Sequence, residues 1–475
     1  MIRDIGIGIV GGGVAGWMAA LALVRALPGI RVSLIETEGP DWSLGPFGPA
    51  EASLPDFPAW LGDHGVDEGA LLRAARGSFS LGTAVSGWAA READWFLPFG
   101  TIGAPLAGIA FHQLAARIRE TGRALRLADF SLAAVAAAAG RFARPSPDPR
   151  SILSSYGYGL HLDRAGLAAA LRAASGLEPA GEFNRAIVDG AVTAVELRDG
   201  SRVVADLWLD CSGPAALLAS RLDQGWEDWS AWLPCDRVVE TWIQMEGVPP
   251  PHAHAGAFEA GWQRTVPLVG GQGGALFHAA ALLPDQPGAI PLAQGRRAAA
   301  WTGNVVALGA AAVLVEPLHG WNLALLANAL ARLIGLLPAA PGGPEPAEYS
   351  RLAAAEADSV RDFAILHYKT NGRTGEAYWD AARAMPVPEA LRRKLDLHAS
   401  RGRVPLEDGE LLGADDWIAA LDGQGVRPRR YDALADAMAE PRLLDHAERV
   451  RTLILDAVRA MPHHGATLRA EGLIA

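Results

Sequence analysis

The clearest chemical signal in the chain is a glycine-rich turn close to its N-terminus. An apolar run over residues 5–10 leads into Gly11, Gly13 and Gly16, and a helical pattern follows. Such glycines permit a tight turn, a close approach of the backbone to a pyrophosphate, and close packing of the helix on the strand. A second apolar run ends at Glu36, about 20 residues after the last glycine, where an acid accepts hydrogen bonds from a ribose. This arrangement predicts a dinucleotide site.

The far end of the predicted site lies much later in the chain. Residues 305–309 form another apolar strand that ends in glycine, and a long helix begins at about Asn322. In flavoproteins of the two-part type, the adenine half sits on the N-terminal fold and a late segment meets the flavin. No second glycine fingerprint follows, so the sequence favours FAD over a nicotinamide cofactor and disfavours a dehydrogenase that transfers hydride.

Composition excludes several other classes. The chain has 475 residues, a formal net charge of −11, 50% hydrophobic residues and two cysteines. This argues against a disulfide scaffold, a disordered protein and a nucleic-acid partner. The N-terminus lacks the layout of a signal peptide, and no uninterrupted apolar stretch reaches about 20 residues. We therefore expect a cytoplasmic enzyme without membrane contact and without a metal site.

The elements that must position the site predict an α/β fold. Residues 186–209 alternate apolar and polar side chains between Asp-Gly turns, which predicts β-hairpins ending in a buried strand. From residue 345 onward the pattern is mostly helical. We expect a two-part FAD-binding fold of the flavoprotein monooxygenase type, with a Rossmann-type domain and a mixed sheet. The predicted parts are residues 1–344, an FAD-binding module with interleaved substrate-side segments, and residues 345–475, a helical region over the substrate side.

Motifs spaced along nearly the whole chain carry a family resemblance. Residues 11–20 read GGGVAGWMAA, residues 51–55 EASLP, residues 98–100 PFG, residues 210–213 DCSG, residues 233–237 LPCDR, and residues 316–318 EPL. In this order the motifs resemble those of the flavin-dependent tryptophan halogenases. The resemblance places Glu51 and Ala52 in the loop that straps the FAD. The predicted cofactor contacts are Gly11, Gly13, Val14, Ala15, Gly16, Trp17, Glu36, Glu51, Ala52, Ala310 and Leu323.

The resemblance also implies a reaction. In that family a separate flavin reductase supplies reduced FAD, which reacts with O2, and halide is oxidised to hypohalous acid. A lysine holds this acid against a small aromatic substrate, a glutamate lies beside the lysine, and a Ser-Thr pair binds halide. Family members are often homodimers, so a homodimer is a further expectation.

Three catalytic positions depart from the family pattern. The lysine motif F-K-x-G-I-x-F-x-x-W aligns without a gap on residues 79–88, which puts Ser80 at the lysine position. The segment E-P-L-E-S-T becomes residues 316–321, so that His319 replaces the glutamate and Gly320-Trp321 the Ser-Thr pair. In the signature W-x-W-x-I-P, the second tryptophan is Arg264. The chain has two lysines and 40 arginines, so a general compositional bias would replace a lysine by arginine. The lysine position holds serine instead, and this bias therefore does not explain the loss of the lysine.

These departures leave several functions open. A serine hydroxyl carries no positive charge, whereas His319 can still move protons near neutral pH. The sequence favours FAD-dependent oxygen transfer to an aromatic or indolic substrate, with His319 and Ser80 as the candidate catalytic residues. The alternatives are a halogenase with a rewired site, a Ser80–His319 nucleophile–base pair, and an FAD-binding protein without turnover. Neither Lys369 nor Lys394 is expected to replace the missing lysine, since Lys394 is predicted to lie on a surface helix.

Overall fold

The computed structural model describes residues 5–222, 225–284, 286–337 and 343–475. Its strands are numbered in chain order. They are β1 Gly6–Val10, β2 Arg31–Glu36, β3 Ala50–Ala52, β4 Ser78–Ser80, β5 Gly82–Ser86, β6 Asp94–Pro98, β7 Gly159–Asp163, β8 Gly181–Asp189, β9 Ala191–Leu197, β10 Arg202–Val203, β11 Leu207–Asp210, β12 Trp226–Asp228, β13 Arg237–Gln244, β14 Ala253–Phe258, β15 Gly261–Leu268, β16 Gly271–His278, β17 Ile290–Pro291, β18 Gly295–Arg297, β19 Trp301–Thr302, β20 Val305–Ala307 and β21 Val313–Leu314.

The α-helices include one long helix at the start of the C-terminal region. They are α1 Val14–Ala26, α2 Asp56–Asp63, α3 Glu68–Ala74, α4 Phe111–Glu120, α5 Leu132–Ala138, α6 Arg164–Ser175, α7 Ala219–Leu222, α8 Asn322–Gly335, α9 Glu345–Lys369, α10 Ala377–Ala384, α11 Glu389–Arg401, α12 Ala414–Gly423, α13 Glu440–Ala460 and α14 His464–Ala470. Within the described ranges, no helix is both long enough and apolar enough to cross a membrane.

The largest sheet has eight strands in the order β10-β9-β8-β2-β1-β11-β20-β19. Its central strands β8, β2, β1, β11 and β20 run parallel, and β1 is buried at every residue. Burial on both faces explains why β1 reads as a continuous apolar run rather than an alternating one. The glycine turn, Glu36 and the turn after β20 therefore all lie at the carboxyl ends of parallel strands, where such sheets bind ligands.

A second sheet of seven strands has the order β17-β13-β16-β15-β14-β5-β6. Two three-stranded sheets, β3-β7-β4 and β12-β18-β21, complete the architecture. The strap strand β3 packs against β15 and β16, so the small sheet β3-β7-β4 lies against the seven-stranded one. This contact brings Glu51 of β3 beside Arg264 of β15, whereas Ser80 lies on β4, with β7 between β3 and β4.

The C-terminal helices share an apolar core with the seven-stranded sheet. Trp262 and Phe277 of the sheet belong to the same cluster as Phe363 of α9 and Trp417 of α12. A second cluster contains residues of α1, of strands β1 and β11 in the large sheet, and of α8. The helix α11 lies at the surface, but Lys394 is on its buried face: it is only 3% exposed and donates to Glu410 and to the carbonyl oxygen of Pro405.

Candidate active site

A cleft of about 530 Å3 opens at the carboxyl edge of the eight-stranded sheet. Its walls include Gly12, Gly13 and Glu36. The glycines are sterically required, since a Cβ on Gly13 would lie 2.0 Å from Asp41 Oδ1, and one on Gly16 would lie 1.8 Å from the carbonyl oxygen of Gly11. The close approach at Gly16 lets α1 pack tightly on the strand, as the motif requires.

The N-terminus of α1 is joined to the late turn after β20. The amide of Val14 donates to Asp41 Oδ2 at 2.9 Å, and the amide of Ala15 donates to Ser43 Oγ at 3.1 Å. The amide of Ala310 in turn donates to the carbonyl oxygen of Ser43 at 2.8 Å. The two halves of the predicted cofactor site, which are almost 300 residues apart in sequence, therefore meet at Ser43.

Of the other predicted cofactor contacts, Glu36 lines the cleft, whereas Trp17 and Leu323 are buried side chains outside its lining. Glu36 lines the cleft, and its Oε1 lies 3.6 Å from a guanidinium nitrogen of Arg172. That guanidinium also stacks over the ring of Trp17, which is 2% exposed. Leu323 is fully buried on α8. An acid at the ribose position, a glycine turn and a helix N-terminus fit the adenosine diphosphate half of FAD.

Glu51 anchors a buried ion-pair network on the strap strand. Arg164 donates to Glu51 Oε1 through Nε at 2.9 Å and also through Nη2, while Arg264 Nη2 lies 3.5 Å from Oε2. The side chains of Glu51 and Arg264 are 0% and 1% exposed. Burial lowers the pKa of Arg264 and Glu51 opposes this effect, but an arginine remains protonated at any physiological pH.

His319 lies in a closed aromatic environment and pairs with a second histidine. It is 2% exposed, and its Nε2 lies 3.0 Å from Nε2 of His367 on α9. The rings of Trp321 and Phe363 contact it edge-on, at centroid distances of 5.9 and 5.8 Å. Burial, the charge of His367 and the charge of Arg264 lower the pKa of His319 well below its usual value, and burial lowers that of His367 to about 4. Both imidazoles are therefore neutral at pH 7.

The hydrogen-bond chain assigns the tautomers of this pair. His367 Nδ1 lies 2.8 Å from the carbonyl oxygen of Phe363, and a carbonyl can only accept, so Nδ1 carries the proton. His367 Nε2 is then the acceptor, and His319 Nε2–H donates to it. The remaining nitrogen, His319 Nδ1, is a buried lone pair with no hydrogen-bond partner among the described residues. The arrangement yields one neutral, oriented base.

Ser80 has a different environment. It is 1% exposed at the end of β4, and its Oγ donates to the carbonyl oxygen of Gly82 at 3.3 Å. The hydroxyl of Ser80 therefore bonds to the backbone, whereas His319 pairs with His367. This geometry gives a nucleophile–base pair of Ser80 and His319 no support.

A second cleft, of about 410 Å3, is lined by Trp95, whose ring also contacts both histidines of the pair. Trp95 stacks on His367 with centroids 5.7 Å apart and an interplanar angle of 20°. A Cβ on Gly423 would lie 2.4 Å from the Trp95 ring, so α12 holds the indole in place. The lining holds the rings of Trp95 and Phe96 and charged groups of both signs, since Arg427 Nη1 donates to Asp422 Oδ1 at 2.8 Å within it. The aromatic walls suit a small aromatic substrate.

Comparison with known proteins identifies the family. The family model described as tryptophan halogenase matches residues 6–440. The chain belongs to the tryptophan halogenase family. Among solved structures, BrvH, a flavin-dependent halogenase from Brevundimonas sp. BAL3, is 34% identical, with a TM-score of 0.93 over 99% of both chains. Xcc4156, a flavin-dependent halogenase from Xanthomonas campestris, is 30% identical, with a TM-score of 0.91 over 99% of this chain and 98% of that one.

A characterised relative has lower identity but similar coverage. Tryptophan 6-halogenase SttH from Streptomyces toxytricini is 26% identical over 509 aligned positions, covering 94% of this chain and 95% of that protein. The matches confirm the family and the α/β flavoprotein fold with a helical C-terminal region. The roles of Ser80 and His319 stay predictions.

The backbone at Gly320, where the resemblance predicts the serine of a Ser-Thr pair, favours glycine. Gly320 has a φ of +79°, and a Cβ there would lie 2.5 Å from the carbonyl oxygen of Ala52. A serine at this position would therefore be strained and would clash with the strap. Trp321 is fully buried and fills the neighbouring position with an indole.

The sequence did not indicate a role for two further groups, His367 and Glu316. His367 was visible only as part of a C-terminal motif, and 48 residues separate it from His319. Glu316 is fully buried, and burial raises its pKa to about 7. Its Oε2 accepts from Trp262 Nε1 at 3.3 Å and from Gln294 Nε2 at 3.4 Å. The one sequence signal for these groups was their place in motifs of the family.

Proposed function

We propose that this chain is an FAD-dependent halogenase with a rewired catalytic site, acting on a small aromatic substrate of the indole type. The observation that carries the proposal is the lone pair on His319 Nδ1, fixed by His367 in the position where the family has glutamate. The relatives named as halogenases favour this activity over the oxygen transfer expected from the sequence.

The cofactor is FAD, as predicted, and the family receives it reduced from a separate flavin reductase. The adenosine diphosphate half fits Glu36, the glycine turn and the N-terminus of α1. The resemblance to the family assigns Glu51 and Ala310 to the segments that would meet the rest of the cofactor. When bound and reduced, the cofactor supplies with O2 the oxidising power that converts halide to hypohalous acid.

The role proposed for His319 is that of a general base. When halogen adds to an aromatic ring carbon, that carbon must lose its proton, and a positioned base accelerates such a transfer by about 10²–10⁴-fold. His319 is neutral at pH 7 because its pKa is lowered, first by burial and then by His367 and Arg264. His367 and the carbonyl oxygen of Phe363 keep the imidazole in the required tautomer.

The cleft beside Trp95 is the proposed substrate site. Trp95 lines it, and the Trp95 ring centroid lies 6.4 Å from that of His319, the proposed base. Aromatic walls at Trp95 and Phe96 suit an indole, whereas Arg427 is already paired with Asp422 in the same lining.

The second candidate is oxygen transfer to the same class of substrate. The observation that favours it is the loss of the ammonium group at Ser80, whose hydroxyl is neutral and engaged with the Gly82 carbonyl. It predicts an oxygenated product whose amount does not depend on halide. A third reading, an FAD-binding protein without turnover, predicts no product with any substrate.

The test combines the purified protein with a flavin reductase, FAD, NADH, O2 and bromide, together with a panel of indoles and phenols. The proposal predicts a brominated product that disappears without bromide and in His319→Gln. His446→Gln is the matched control, since His446 is half-buried and contacts the carbonyl oxygen of Ala104 rather than either histidine of the pair. A product that gains oxygen equally with and without bromide would support the second candidate instead.

A further inference from the structure

The seven-stranded sheet has an open edge along β13. The end strand β17 pairs with β13 only at Arg237 and Val238, whereas β16 pairs with the other side of β13 as far as Gln244. Residues 239–244 therefore have no strand on their outer side within the described ranges. The opposite end of the sheet differs, because α12 packs against β6.

The backbone groups that face outward at this edge follow from the alternation along the strand. The amide of Met245 donates to the carbonyl oxygen of Gly270 on the β16 side at 3.4 Å, and the carbonyl oxygen of Asp236 accepts from Leu292 on the outer side at 2.9 Å. Successive residues of an antiparallel strand direct their N–H and C=O groups to opposite sides. The even-numbered residues from 240 to 244 therefore point these groups outward, where they have no hydrogen-bond partner among the residues that the structure describes.

This edge lacks the usual protection against pairing with another strand. Natural edge strands carry charged residues, proline or a β-bulge that prevents such pairing. Residues 239–245 read VETWIQM, with one charged residue and no proline, and the pairing of β13 with β16 has no register shift. Four large apolar side chains here are 38–48% exposed, and they are Trp242, Ile243, Met245 and Val248. An exposed apolar edge of this kind is a surface for the addition of a further strand.

The composition of this edge suits pairing with a second copy of the same strand. An antiparallel pair with its twofold axis at Trp242 places the two Trp242 residues opposite each other. Glu240 then faces Gln244, so that an amide meets a carboxylate and no two like charges are opposed. On the other face of the pair, Thr241 lies opposite Ile243, and both are β-branched side chains that pack well across strands.

The register at Trp242 also uses all the outward-facing backbone groups of residues 240–244. The even-numbered residues become the hydrogen-bonded positions, and each facing pair exchanges two N–H···O=C bonds. An axis at Thr241 would instead bring Gln244 opposite Val238, whose outer side already pairs with Ile290 of β17. The open length of the edge and its sequence therefore indicate the same twofold pairing.

We propose that the chain forms a twofold dimer through β13, so that the seven-stranded sheets of two copies join into one antiparallel sheet around Trp242. This inference does not depend on the proposed function. The indole is held in place for the contact, since the guanidinium of Arg76 lies 4.6 Å from the ring centroid of Trp242. Glu240 Oε1 accepts from the amide of Gly48 at 3.4 Å, which leaves Oε2 for the glutamine of the second copy.

Sedimentation velocity over a range of protein concentrations tests the dimer. The unmodified chain is expected to approach twice its mass of 49.8 kDa as the concentration rises. Gln244→Pro removes an outward N–H but no bond to β16, and proline is tolerated at such edge positions. Because the twofold axis repeats each lost bond, we expect the dissociation constant of the dimer to rise about tenfold or more.

A second variant and its control guard against a folding defect. Ile243→Lys keeps the backbone groups and places a charge at the contact, so it is also expected to raise the dissociation constant about tenfold or more. Leu397→Lys is the matched control, because Leu397 is 43% exposed, close to the 48% of Ile243, but lies on α11. The control is expected to leave the dissociation constant within about twofold, and circular dichroism reports whether each variant is folded.

Disulfide cross-linking tests the register. Facing residues of a hydrogen-bonded pair have Cα atoms about 5.5 Å apart, which a disulfide can span. Trp242→Cys is therefore expected to form a linked dimer on oxidation. Gln244→Cys is not, because the two copies of residue 244 would lie at least about 13 Å apart along the strands. The two native cysteines, Cys211 and Cys235, are buried, so they add little to the cross-linked fraction.

Each outcome bears on the assignment. A chain that stays monomeric at about 100 µM would overturn it. A dimer that persists unchanged in both Gln244→Pro and Ile243→Lys would show that another surface is used, and equal cross-linking of the two cysteine variants would reject the register. A monomer that binds a flavin reductase, with binding lost in Gln244→Pro, would give the edge to a different partner and contradict the second copy. None of these measurements uses halogenation, so failure of the proposed function leaves the inference standing.

Discussion

Replacing His319 by glutamine separates its chemistry from its packing. In the native structure His319 Nε2–H donates to His367 Nε2 at 3.0 Å, and the amide of glutamine offers a donor in place of that nitrogen. The change therefore costs about 1 kcal/mol of stability or less, the usual net value of one hydrogen bond. His319→Leu would leave His367 Nε2 buried and unpaired, at a cost of about 1–3 kcal/mol.

The effect of His319→Gln on the reaction is expected to be much larger. Loss of a general base lowers the rate by about 10²–10⁴-fold, which corresponds to about 2.7–5.5 kcal/mol on the barrier. Because glutamine cannot accept the ring proton, its removal becomes rate-limiting. A primary deuterium isotope effect is then expected with substrate deuterated at the reacting carbon.

The assay is a single turnover with reduced FAD, bromide and the aromatic substrate, quenched and analysed by mass spectrometry. Binding of FAD, followed by quenching of its fluorescence, is expected to remain within twofold of the unmodified protein. A His319→Gln protein that brominates within threefold of the native rate, with no isotope effect, would refute the role of His319 as base. An equal loss in His446→Gln would show that the assay reports damage to the fold.

Three further predictions follow from single contacts. Ser80→Ala removes one hydrogen bond to the Gly82 carbonyl and is expected to cost about 0.5–1.5 kcal/mol of stability with no loss of rate; a hundredfold slower turnover would restore Ser80 as a catalytic group. Glu36→Gln weakens FAD binding about tenfold in a fluorescence titration, because an amide is a poorer acceptor for a ribose than a carboxylate; unchanged affinity would argue against the ribose contact. The pKa of His367 falls from 6.5 to about 4 on folding, so unfolded chains bind more protons between these values and stability is lost as the pH falls through this window. Against His367→Gln, denaturant unfolding should show the native protein losing about 2–3 kcal/mol more between pH 7.5 and 4.5, and parallel losses would contradict this.

Local patterns in the sequence were enough to predict the cofactor half of the site. The glycine turn, Glu36 and the strand before each of them depend on neighbours in the chain, and the steric contacts of Gly13 and Gly16 follow from the same spacing. The family motifs added the strap at Glu51. The ion-pair partners of Glu51 could not be predicted, because Arg164 lies on a helix and Arg264 on a strand, each more than 100 residues away in sequence.

For the catalytic half, the sequence predicted which residues occupy the catalytic positions, but it did not predict which groups those residues contact. Sequence alignment showed that His319 and Ser80 replace a glutamate and a lysine, which suggested a pair of cooperating residues. The structure gives His319 a different partner, His367, and gives Ser80 a backbone acceptor. Arg264 was visible only as a lost tryptophan, because its link to the strap depends on how two sheets pack and no local pattern encodes that packing.

The most direct test of the central claim follows the fate of both atoms that an oxidising flavin enzyme can transfer. The protein is supplied with reduced FAD, bromide, an indole substrate and O2 labelled with oxygen-18, and the product is analysed by mass spectrometry. If the protein is a halogenase, the product carries the bromine isotope doublet and no oxygen-18, since the labelled oxygen leaves as water. A product that carries oxygen-18 and no bromine would contradict that activity.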